Sequence, residues 1–84
     1  ETFLELHPNE SDSVFALGLI ALEEGRLDQA REWFQKAIEV STTENNTVIS
    51  AKANSRLGDV YEEQHEFTLA LKQYDIAISL SVSP

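Results

Sequence analysis

Eighty-four residues without a cysteine make at most one small domain with a thin core, and neither a disulfide nor a thiolate metal site reinforces it. A net charge of −9 argues against nucleic acid and anionic membrane as partners, because both need a basic footprint. The same charge suits a cationic partner, and equally a repeat protein that must stay soluble. No apolar run approaches the ~20 residues that span a bilayer; the longest, residues 14–22, reads as a buried helix.

In chain order, residues 1–10 come first. Phe3, Leu4 and Leu6 fit the last turns of a helix that His7-Pro8-Asn9 stops, since proline lacks the amide donor and disfavours helix at the residue before it. So short a segment does not form a helix alone, and it is expected to be the end of a truncated upstream repeat. The chain starts at Glu1 with no basic n-region or signal-like stretch, so the expected location is the cytoplasm. A first helix is predicted from Ser11 or Asp12, either of which can cap it. Val14, Leu17, Gly18 and Ala21 form one stripe and Phe15, Leu19 and Leu22 a second, so this helix must be covered on more than one side. Gly25 ends it as a left-handed C-cap.

Asp28 lies in the first turn of a second helix with Leu27, Ala30, Phe34, Ala37, Ile38 and Val40 inward and a Glu32–Lys36 pair outside. Residues 41–46, rich in Ser, Thr and Asn, read as the connecting loop. A third helix is expected from an Asn46 or Thr47 cap to about Gln64, with Val48, Ala51, Leu57, Gly58 and Tyr61 inward. His65 then takes the turn position that Gly25 holds earlier, and histidine tolerates positive φ better than most residues. The fourth helix is placed from about Thr68 to Leu80, with Leu69, Ala70, Tyr74, Ala77, Ile78 and Leu80 apolar. No segment alternates with a period of two, so no strands are expected.

Two stretches repeat. Val14, Leu17, Gly18, Ala21, Ala30 and Phe34 read V-x2-L-G-x2-A…A-x3-F, and Asn54, Leu57, Gly58, Tyr61, Ala70 and Tyr74 read N-x2-L-G-x2-Y…A-x3-Y. Both resemble the tetratricopeptide repeat, W-x2-L-G-x2-Y…A-x3-F…P, with Ala37 and Ala77 extending the match and Pro8 standing where that pattern closes. Small residues remove bulk where antiparallel helices cross, and the aromatic fills the gap. The resemblance implies an all-α fold, antiparallel helix-turn-helix pairs stacked as a short right-handed superhelical solenoid. The first pair would span residues 11–44, and the second, with a longer first helix, residues 45–84. Two departures stand out. Val14 and Asn54 replace an aromatic, which should thin the packing there, and the copies lie 40 rather than 34 residues apart. The lengthened repeat resembles those of the Pins/LGN class of polarity scaffolds.

In such repeats the first helix of each pair lines a concave groove, and the resemblance carries that role to Asp12, Phe15, Leu19, Leu22 and Glu23 in the first copy. In the second copy it falls on Lys52, Ser55, Asp59, Glu62 and Glu63. An apolar patch beside an acidic one suits a protein or peptide that carries both apolar and basic residues, the apolar anchor supplying affinity and the charges registration. The competing reading makes Phe15, Leu19 and Leu22 core residues. A basic clamp for a peptide's terminal carboxylate is not expected, since only Lys52 and Arg56 could serve.

Enzymatic chemistry is not expected. Glu62-x-x-His65 has the spacing of one half of a helical di-metal site, but no second half exists, and Leu69 stands where a zinc-protease motif needs histidine. The sequence contains no phosphate loop and no nucleophile–base constellation, so neither cofactor nor metal is predicted. The expected function is a protein–protein interaction scaffold with a groove ligand, the alternative being spacer repeats that self-associate. With the fourth helix lacking a covering partner, apolar surface is expected near Leu71, Ile78 and Leu80, and with it a possible homo-oligomer.

Overall fold

The computed structural model describes residues 10–82. These form four α-helices and, among the described residues, no strand: α1 (Glu10–Glu23), α2 (Leu27–Thr43), α3 (Thr47–Glu63) and α4 (Phe67–Ser81). The helix tail expected before Pro8 lies outside the described residues.

The same turn closes α1, α2 and α3. Gly25, Asn45 and His65 have φ of 77°, 58° and 64°, a left-handed residue at every twentieth position. At each, that residue's amide bonds the carbonyl three back (Leu22, Thr42, Glu62), and the next amide bonds the carbonyl five back (Ala21, Ser41, Tyr61) at 2.8–2.9 Å. This is the Schellman arrangement, which satisfies the last carbonyls of the helix while reversing the chain. With so little chain between them, consecutive helices run antiparallel. The link between α2 and α3 is therefore as tight as the link inside each pair.

Two sequence expectations change here. Residues 41–43 are not loop but the last turn of α2, leaving only residues 44–46 as the connection. The hydroxyls that made the stretch look loop-like bond back to the helix: Ser41 and Thr42 donate to the Ile38 carbonyl and Thr43 to that of Glu39. Ser41, fully buried, also meets Ser50 across the α2–α3 contact at 2.6 Å. The extra length of the repeat is thus an added turn on both α2 and α3. Secondly, Ser11 lies inside α1, with Glu10 before it already helical. Its buried hydroxyl donates to Glu44 Oε1 at 2.7 Å, tying α1 to the α2–α3 turn. Asn46 is the cap of α3, its Oδ1 accepting from the Ile49 amide. Lys36 pairs with Glu39, at 4.0 Å, where a Glu32 partner was expected.

Small residues at the crossings make room for the aromatics. Phe34 lies over Gly18 so closely that a β-carbon there would sit 2.5 Å from its ring, and Tyr74 covers Gly58 in the same way at 2.7 Å. Ala21, Ala30, Phe34, Leu57 and Val60 form the main core cluster, and Val14, Ala37 and Ala53 continue it. The expected thinning at Asn54 is not found. Asn54 is buried, donates to the Ser50 carbonyl at 2.8 Å and accepts from Gln73 Nε2 of α4 at 2.7 Å. A polar bridge replaces the missing apolar bulk. Helices pack in chain order, α1 also touching α3, so α1 and α3 share one face of a slab 15 Å thick.

Candidate functional site

The ten residues expected in the groove lie on α1 and α3 and differ in exposure. Asp12, Glu23, Lys52, Glu62 and Glu63 are exposed, while Phe15, Leu19, Leu22, Ser55 and Asp59 are half-buried. Phe15, Leu19 and Leu22 pack against the main core cluster, and the Phe15 ring lies 5.6 Å from that of Phe34. Part of each side chain is therefore core, and the remainder is exposed. Among the described residues, their neighbours in that cluster come from α1, α2 and α3.

Four of the ten come together. Leu22, Asp59, Glu62 and Glu63, with Gly25 and Leu27, line an open depression of ≈ 590 Å³ where the end of α1 meets the second half of α3. One wall is apolar and the other carries three carboxylates. Lys52, Asp12 and Ser55 do not line it.

The acidic wall is held from behind by Tyr74, a residue the groove prediction did not include. Its hydroxyl reaches Asp59 Oδ1 at 2.5 Å and Glu62 Oε1 at 3.1 Å. Burial, and then the hydrogen bond to Asp59, raises the Tyr74 hydroxyl well above the ordinary phenol range, so it stays a donor. On the solvent side Arg56 Nη1 lies 3.4 Å from the other oxygen of Asp59. The internal repeat holds the signal for this. Phe34 in the first copy corresponds to Tyr74, and Leu19 and Leu22, which pack on the Phe34 cluster, correspond to Asp59 and Glu62. An apolar trio in one repeat is a hydrogen-bonded polar trio in the next.

A second depression, of ≈ 470 Å³, lies between α2 and the start of α4 and is lined by Arg31, Gln35, Tyr61, Gln64, Glu66 and Leu69. His65 sits in its turn with its ring edge-on to Phe67, 5.8 Å between centroids. Among the described residues no group of three His, Asp or Glu is placed to hold a metal ion, and no helix is long and apolar enough to cross a membrane.

A tetratricopeptide repeat family model matches residues 1–46, more than half of the chain, taking in α1, α2 and the turn after them. No curated protein and no solved structure matches the chain. The match is to the repeat itself and does not single out the Pins/LGN class.

Proposed function

The chain belongs to the tetratricopeptide repeat family, a family of protein–protein interaction modules, and we propose that it binds a peptide or helix of a partner protein along the α1–α3 face. The observation that carries this reading is the depression in which Leu22 and Leu27 face Asp59, Glu62 and Glu63. An arginine or lysine fits both walls, its aliphatic stem on the leucines and its charged head on the carboxylates. The neighbouring Leu19 and Phe15 surface takes an apolar side chain of the same ligand. Tyr74 keeps Asp59 and Glu62 turned toward the site, so less ordering is required when the cation arrives. The exposed carboxylates chiefly set encounter rate and register, because exposed ion pairs are worth only ~0–1 kcal/mol each.

The test is a panel of fluorescent peptides that carry leucine and one variable position, arginine in one set and glutamate in the other. Arginine peptides should bind, more weakly as salt screens the charges, and Glu63→Lys should weaken them several-fold without changing helical content. Equal binding of the arginine and glutamate sets would end the proposal. A second reading, repeats that associate with one another, has one observation in its favour: Leu71 and Ile78 of α4 are 67% and 60% exposed.

A further inference from the structure

Residues of the α2–α3 contact have counterparts in α4 and α1 that are exposed. On its α2 side, Leu27 and Ile38 pack into the cluster that Leu57 and Val60 of α3 close, and Val60 is wholly buried. Forty residues after Leu27, Arg31 and Ile38 stand Phe67, Leu71 and Ile78 of α4, exposed by 56%, 67% and 60%. Forty residues before Val60 stands Ile20 of α1, exposed by 53%. Ser13 and Ala16, the counterparts of Ala53 and Arg56, share the Ile20 side of α1 at helical spacing.

We propose that a second copy of this chain docks the Ile20 side of its α1 onto the Phe67–Leu71–Ile78 stripe of α4, repeating the α2–α3 contact between molecules. The stripe is better suited to an apolar partner than its α2 counterpart, because Leu71 replaces Arg31 and Val82, 75% exposed, extends it. Small side chains at positions 13 and 16 let the two helices approach closely. The contact is head to tail, with different surfaces on the two molecules, so it generates rings or open chains rather than a closed symmetric dimer. A charge of −9 on each copy opposes it, and added salt should therefore strengthen it, opposite to its effect on a cationic ligand in the α1–α3 face.

Sedimentation velocity on the whole 84-residue chain, over a concentration series at low and high salt, tests the proposal with two variants. Leu71→Glu blocks the α4 end and Ile20→Glu the α1 end. Both positions are exposed, so helical content by circular dichroism should not change. The wild type should gain mass with concentration and with salt, and each variant alone should stay monomeric. An equimolar mixture of the two should form a dimer and nothing larger, since each contributes its one intact end. A wild type that stays monomeric into the millimolar range overturns the proposal. So does an Ile20→Glu variant that associates as well as wild type, which would mean a symmetric α4–α4 contact, or a mixture that remains monomeric where wild type associates.

Discussion

Each repeat is locked by one glycine and one aromatic, and the two locks differ in how far they can yield. Gly18 is covered by Phe34, which is fully buried, whereas Gly58 is covered by Tyr74, which is half-buried and tipped by a hydroxyl. Alanine in a helix gains up to ~1 kcal/mol over glycine from propensity. At Gly18 the added carbon meets a ring with nowhere to go, and overpacking of ~1–3 kcal/mol outweighs that gain. Gly18→Ala should therefore lower stability by about 1–2 kcal/mol in urea unfolding, and Phe34→Leu in the same chain should return part of the loss. Gly58→Ala should cost less, as the Tyr74 ring can swing outward at the expense of its bonds to Asp59 and Glu62. A Gly58→Ala cost equal to that of Gly18→Ala would refute this difference between the locks. Tyr74→Phe isolates the hydroxyl, with a loss of about 1 kcal/mol near neutral pH. The pH dependence has a definite sign. Folding raises the Tyr74 pKa, so above the unfolded phenol value of ~10 the unfolded chain releases a proton that the folded chain keeps, and stability falls. The gap between wild type and Tyr74→Phe should be full below that pH and shrink above it.

Between elements, what holds α2 against α3 in their added turns is a chain of hydroxyls. Ser50 meets Ser41, and Ser41 donates to the Ile38 carbonyl, which leaves Ser50 as the donor between them. Removing Ser41 strands the buried Ser50 hydroxyl, at a cost of ~1–3 kcal/mol, whereas removing Ser50 leaves Ser41 still bonded to Ile38. Ser41→Ala should thus destabilise more than Ser50→Ala, and the double variant should cost less than the sum of the two, a coupling that a double-mutant cycle reads directly. Equal single costs that simply add would show the pair to be uncoupled. This device also explains what sequence reasoning missed. Stripes such as Leu27, Ala30, Phe34 and Ala37 give the helices, and Gly25 and His65 give two of the three turns, because apolar period and left-handed φ are properties of single segments. Ser41, Thr42 and Thr43 look like loop because their bonds back to the helix, and the Ser50 partner, are invisible in a local window. The ten residues proposed for the groove come from position along the first helix of each pair, whereas Tyr74 belongs to a different helix and enters only once α4 lies against α3. Asn54 was misjudged for the same reason: its partner, Gln73, belongs to α4.

In the molecule as a whole, neighbours are unequally shared. Helices α2 and α3 are each packed on both sides, while α4 rests chiefly on α3, with Phe67, Leu71, Ile78 and Val82 in solvent. Stability in a stack of repeats is close to a sum of helix terms and nearest-neighbour contacts, so an element with one neighbour opens most easily. A chain this small has only ~0.05–0.15 kcal/mol per residue in hand, and opening the α3–α4 contact parts Tyr74 from Gly58 and Gln73 from Asn54 but breaks no α1–α2 contact. Native-state hydrogen exchange of the dilute monomer should show α4 amides exchanging through a partial opening, well below the free energy that protects α2. Gln73→Ala sharpens the test. It takes from the buried Asn54 oxygen its donor on α4, a bond between α3 and α4. It should lower protection across α4 and the facing part of α3 while leaving the most protected amides of α2 where they were. If protection instead falls equally in all four helices, the chain opens as one cooperative unit, and the end of the stack is no weaker than its middle.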